Sequence, residues 1–146
     1  RGVGYAALPC RDRACGGRGL PSHSMAQPGY AKQWGASGRD DLGVIASLGA
    51  NAVRLYHAFG LNASAGHARF LDRAAELGLG AVLGVHSDLA ISVDECPDFD
   101  CFETWKVATL RGIRAGLAVV NESWHPAVDM VVLLNEPDYF ELAPRC

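Results

Sequence analysis

A chain of 146 residues, 49% hydrophobic and 20% charged, has the balance of one folded domain and excludes a disordered segment. Its formal net charge of −3, with Lys and Arg scattered along the sequence, provides no basic stripe, so no nucleic-acid partner is expected. No apolar run nears the roughly 18 residues that cross a bilayer, so no membrane span is expected, and the opening "RGVGYAALPC" lacks the ordered regions of a signal peptide.

The first predicted element is a strand over "GVGYAAL", residues 2–8. A long glycine-rich and polar stretch follows, in which "ACGGRG" has no helix opening directly after it and so offers no phosphate loop. The segment "RDDLGVIASLG", 39–49, puts Leu42, Ile45 and Leu48 on one helical face, with Ser37 or Asp40 as its cap. A second helix is predicted in "SAGHARFLDRAAELG", 64–78, with Phe70, Leu71, Ala74 and Leu77 on one face and Ser64 as cap. Gly49 and Gly78 stand where a helix ends in a left-handed residue. After each glycine the pattern becomes strand-like, and "LGANAVRLYH" (48–57) aligns without gaps on "LGLGAVLGVH" (77–86). A helix-turn-strand unit is therefore repeated. A third, longer helix is predicted across "FETWKVATLRGIRAGLAVVN", 102–121, with Leu110, Ile113, Leu117 and Val120 at helical spacing. It leads to a fourth strand, "VDMVVLL", 128–134.

Strands alternating with helices imply parallel pairing through right-handed crossovers, and strands this apolar are expected to be covered on both faces. Two α/β architectures fit, an open doubly wound sheet or part of a (β/α)8 barrel, and both gather functional groups at the carboxyl ends of the strands. Those positions hold Pro9 and Cys10, Tyr56 and His57, then His86, Ser87 and Asp88, and finally Asn135 and Glu136. The five cysteines include two similarly spaced pairs, Cys10 with Cys15 and Cys96 with Cys101, while Cys146 is left over. Disulfides in an oxidising compartment are expected, with the connectivity open; four-cysteine zinc is the sharper alternative, disfavoured by spacings at the wide end of the usual range. Acceptor patterns for N-glycosylation at Asn62 and Asn121 point the same way, toward a secreted or cell-surface protein.

"NEP" ending the fourth strand, "ANAVRLYH" on the second and a histidine ending the third together resemble the clan of retaining (β/α)8 glycoside hydrolases. The opening "GVGYAALP", the tryptophan of "KQWGASGRDDL" and "LGANAVRLY" resemble most its β-glucan hydrolases and glucanosyltransferases. The likeness covers nearly the whole chain, 1–146, but only as the amino-terminal half, first to fourth strands, of a (β/α)8 TIM barrel. It implies that Glu136 is the general acid/base and that Asn135 holds the sugar hydroxyl beside the scissile bond. By the same likeness Arg54 supports the nucleophile's charge and His86 contacts substrate, with Tyr56, His57 and Trp34 as further sugar contacts. A polysaccharide or oligosaccharide substrate is implied, with no cofactor and no metal.

The chemistry agrees on independent grounds. A glycosidic oxygen leaves poorly unless protonated, and a carboxyl group at the mouth of an apolar strand can be kept protonated by desolvation and by a second carboxylate nearby. In this clan that second carboxylate comes from the seventh strand, and no residue of the present chain matches it. The chain is therefore expected to be a fragment of a longer product, inactive and poorly soluble by itself. Plainer readings stand beside these: Glu136 as a solvated loop residue, Arg54 paired with a structural acid such as Asp129, and His57 and His86 as structural histidines. Trp34 is either a packing or a stacking residue, and Trp105 and Trp124 pack at helix ends. A carbohydrate-binding barrel without the nucleophile, and an unrelated barrel enzyme of convergent layout, are the competing functions.

Overall fold

The structure, a computed structural model, describes residues 1–5, 26–59, 66–85, 106–107, 110, 113–119 and 123–132. Strand β1 (Gly2–Gly4) is followed by a 3-10 turn (Pro28–Tyr30) running into the short helix α1 (Ala31–Trp34) and by helix α2 (Asp41–Ser47). Then come β2 (Ala52–Phe59), α3 (Ala68–Glu76), β3 (Gly80–Val85), a π-type turn (Ile113–Leu117), β4 (Ala118–Val119), β5 (Ser123–Trp124) and β6 (Val128–Val132). The main sheet has the order β1-β2-β3-β6 with every pairing parallel, so its strands lie side by side in chain order.

One face of this sheet is the core. Val53 pairs with Ala81 and Leu55 with Leu83, and all four are at most 2% exposed. Leu42 and Ile45 of α2 and Phe70, Leu71 and Ala74 of α3 join them in a single cluster. The residues between, Ala52, Arg54, Gly80 and Val82, alternate to the other face and are only half-buried, as the period of two requires. Phe70 is the hub: Trp34 meets it edge-on with centroids 5.5 Å apart, and Tyr5 lies at 6.1 Å. Edge-to-face contact lets the positive ring edge meet the negative ring face, which adds to the area buried.

Gly49 and Gly78 both have positive φ, 79° and 67°, in the left-handed position expected of them. After α3 the Leu79 N–H reaches the Ala74 carbonyl and the Gly78 N–H the Ala75 carbonyl, a Schellman closure that turns the chain into β3. The start of α2 differs from expectation. Asp40 adopts φ 54° and its side chain caps no backbone group. Instead it accepts a salt bridge from Arg73 of α3 at 3.2 Å, joining the two helices. Asp41 receives both Arg39 Nε and Arg39 Nη2 at 2.6 Å and the Tyr5 hydroxyl at 2.9 Å, tying β1 to α2. The Arg39 guanidinium holds the Asp41 carboxyl below the usual range, while burial and the bond to Asp41 push the Tyr5 phenol up.

Three local expectations are corrected. Leu48, read as part of the buried face of its helix, is 75% exposed, because α2 ends at Ser47 and the chain turns there. The long third helix does not run through 121. It breaks at Gly116, φ 98°, and continues as a small antiparallel hairpin pairing Ala118 with Trp124 and Val119 with Ser123. Trp124 accordingly lies on a strand, 40% exposed, not packed at a helix end. Glycine is what fits at the break: a Cβ on Gly116 would stand 3.0 Å from the Ala68 nitrogen, where the chain crosses the start of α3. Gly116→Ala therefore meets both a positive φ and backbone, and should lower stability by about 1–3 kcal/mol, read as a lower urea midpoint with an unchanged m-value.

Candidate functional site

All four strands of the main sheet point the same way, so their carboxyl ends share one edge. Tyr56 and His57 are in the carboxyl-terminal half of β2 by their backbone; their side chains lie outside the described residues. His86 directly follows β3 in sequence, and Asn135 and Glu136 come shortly after β6; these three lie outside the described residues, as do Ser64, Trp105 and all five cysteines.

Arg54 is described. It sits in the middle of β2, in register with Gly4 on one side and Val82 on the other, and Val82 is in turn in register with Met130. Since Val53 and Leu55 face the helices, Arg54 projects from the opposite face. By register that face carries Gly2, Gly4, Ala52, Gly80 and Val82 around it, and the Arg54 Nε is buried there. A guanidinium so held can present paired N–H donors to a carboxylate or to vicinal sugar oxygens.

Asp129, the structural acid considered for Arg54, is exposed on β6, and its carboxylate occupies the space that a Cβ on Gly80 would take. The register slips between Ala81 and Val82, which is what turns this side chain over β3. The face thus carries an acid near the amino end of β3 and a base farther toward the carboxyl ends.

Trp34 is not on this face. Its indole is 3% exposed within the core, edge-on to Phe70, and its Nε1–H donates to the Gln27 carbonyl at 3.4 Å. No ring face is left for a sugar, so the packing reading of this residue is the one its geometry fits. The 3-10 turn and α1, which bring it there, also bury Tyr30 and Gln33.

Two histidines that the strand-end reading passed over are well placed in the fold. His125 is 6% exposed; its Nδ1 accepts from the Ala127 N–H at 3.1 Å, so its Nε2 carries the proton and donates to Asp72 of α3, also at 3.1 Å. The Val128 N–H closes the same turn on the His125 carbonyl, and Ala127 then accepts from the Ala81 N–H, aligning β6 on β3. The only sequence signal was a His-Pro pair immediately before a strand, a turn marker with no hint of Asp72. His67, 1% exposed before α3, had no signal at all. Both belong to the packing of the helices, and neither contributes to the strand-end cluster.

Among the described residues no group of three or more His, Cys, Asp or Glu is placed to hold a metal ion, and no helix is long and apolar enough to cross a membrane. What the described residues define is an α/β protein, built on a small parallel sheet whose strands succeed one another in chain order and pack their apolar face under helices. No family model matches the chain, and no curated protein and no solved structure matches it.

Proposed function

We propose that the chain is the first half of a (β/α)8 barrel glycosidase or transglycosidase domain acting on β-linked glucan with retention of configuration. The observation that supports this reading is the strand order. A doubly wound sheet reverses its order at a switch point, where its ligand binds, whereas a barrel adds each parallel strand beside the last. The four strands here follow the second pattern, with Arg54 on the face turned away from the helices.

In this reading Glu136 protonates the departing glycosidic oxygen and then deprotonates the incoming water or sugar hydroxyl. Asn135 holds the hydroxyl adjacent to the scissile bond. A carboxylate on a later strand, roughly 5 to 5.5 Å from that of Glu136, attacks the anomeric carbon; so close a pair leaves no room for an intervening water. Arg54 holds that carboxylate ionised, and His86, Tyr56 and His57 line the sugar path. The cysteine pairs and the acceptor sites at Asn62 and Asn121 fit a secreted or cell-surface setting.

The test is the configuration of the first-formed product. A chain carrying the later strands, mixed with a soluble β-glucan and followed by proton NMR, is expected to release the β-anomer before mutarotation. Release of the α-anomer would overturn the retaining assignment. Saturable glucan binding with no bond cleavage would establish the binding protein instead.

A further inference from the structure

We infer that His67 is an acid-sensitive latch, whose protonation opens the amino-terminal turn of α3, the turn that follows β2 in the chain. Its backbone is already committed to the helix: the His67 carbonyl accepts from the N–H groups of both Phe70 and Leu71, at 3.0 and 3.1 Å. Its ring does something different. It forms no cap, it is 1% exposed, and among the described residues neither Nδ1 nor Nε2, both buried, has a hydrogen-bond partner. A neutral imidazole in such a place leaves one donor and one acceptor unsatisfied. An imidazolium leaves two donors unsatisfied, adds a full buried charge, and puts that charge at the positive end of the helix dipole.

Among the described residues nothing charged compensates. On α3 itself Arg69 is exposed, Asp72 is bonded to His125, and Arg73 bridges Asp40 and Glu76. The strand beneath α3, β3, has no titratable side chain. The segment 113–117, which crosses at Ala68, brings only Arg114, a cation pointing to solvent. The Tyr5 hydroxyl, beside Phe70, is bonded to Asp41, which is itself held by Arg39. Burial alone accordingly pushes the His67 ring down to about 4.

The direction of the coupling follows. Above a pH of about 6.5, the value of a free histidine, open and closed forms are both neutral and the latch is shut at no proton cost. Between about 6.5 and 4 the open form takes up a proton that the closed form refuses, so opening becomes more favourable by about tenfold per unit. Below about 4 both forms are protonated and the effect levels off. Over the full window the open population rises by about 300-fold.

Hydrogen exchange of the purified protein between pH 7 and 4, corrected for intrinsic rates, reads this directly. The Phe70 and Leu71 amides are expected to lose about 300-fold in protection relative to those of β3. His67→Phe, which keeps an aromatic ring and removes the titration, is expected to hold them level, while His125→Gln leaves the loss in place. Parallel loss in the parent and in His67→Phe would overturn the latch. Should His67→Phe not fold, ring-nitrogen NMR of the parent decides alone. A ring still neutral at pH 5 is the expected result, and titration near 6.5 with α3 still protected overturns it.

Discussion

Glu136→Gln, made in a chain that carries the later strands, is expected to lower kcat on natural β-glucan by about 100- to 10,000-fold. The magnitude is that of a general acid/base: glutamine is nearly isosteric and still offers hydrogen bonds, but it can neither give nor take the proton. Substrate binding should change far less, because the amide fills the same volume. Two further readouts separate this role from simple damage to the fold. An aryl β-glucoside with a good leaving group needs little protonation, so its first step should survive. Azide needs no base to attack the glycosyl intermediate and should restore much of the lost rate while leaving a β-glycosyl azide. Natural-substrate turnover unchanged by Glu136→Gln would dismiss the assignment of Glu136, and an equal, azide-insensitive loss on both substrates would assign it a structural role.

Phe70→Ala is expected to cost about 3–5 kcal/mol of stability, a large part of the roughly 5–15 kcal/mol that holds a domain together. Phe70 is fully buried, and both aromatic neighbours, Trp34 and Tyr5, depend on its ring. Its loss opens a cavity where Trp34 and Tyr5 met its ring. Leu48→Ala, at a residue 75% exposed, is the matched comparison and should stay within about 0.5 kcal/mol. Urea unfolding of the two variants checks both, and a Phe70→Ala penalty no larger than that of Leu48→Ala would show that the core is centred elsewhere.

Glu136 and Phe70 differ in how much of their setting is local in sequence. Glu136 was singled out from sequence because a charge after an apolar strand is a local anomaly, visible in a dozen residues. Phe70 was legible only as one position on an apolar helix face. That it is the point where Trp34 and Tyr5 converge depends on residues more than thirty positions earlier in the chain, and no periodicity records such a meeting. Trp34 shows the same limit from the other direction. A tryptophan beside a glycine-rich loop is compatible with stacking a sugar or filling a core, and burial at 3% in contact with Phe70 is what separates them.

What the sequence by itself determined is what local physics enforces: the strands at β2 and β3 through the short apolar run after each glycine, the helix stops at Gly49 and Gly78 through the left-handed backbone that glycine tolerates, and the α/β class through their succession. The tertiary structure decided the rest. It set the side-by-side order of the parallel strands and the turning of Arg54 away from the helices. It broke the third helix where Gly116 crosses Ala68, and it buried His67 and clasped His125 to Asp72. The reason is the same in each case: these outcomes depend on which surfaces are close-packed or drained of water, and that is a property of segments distant in the chain.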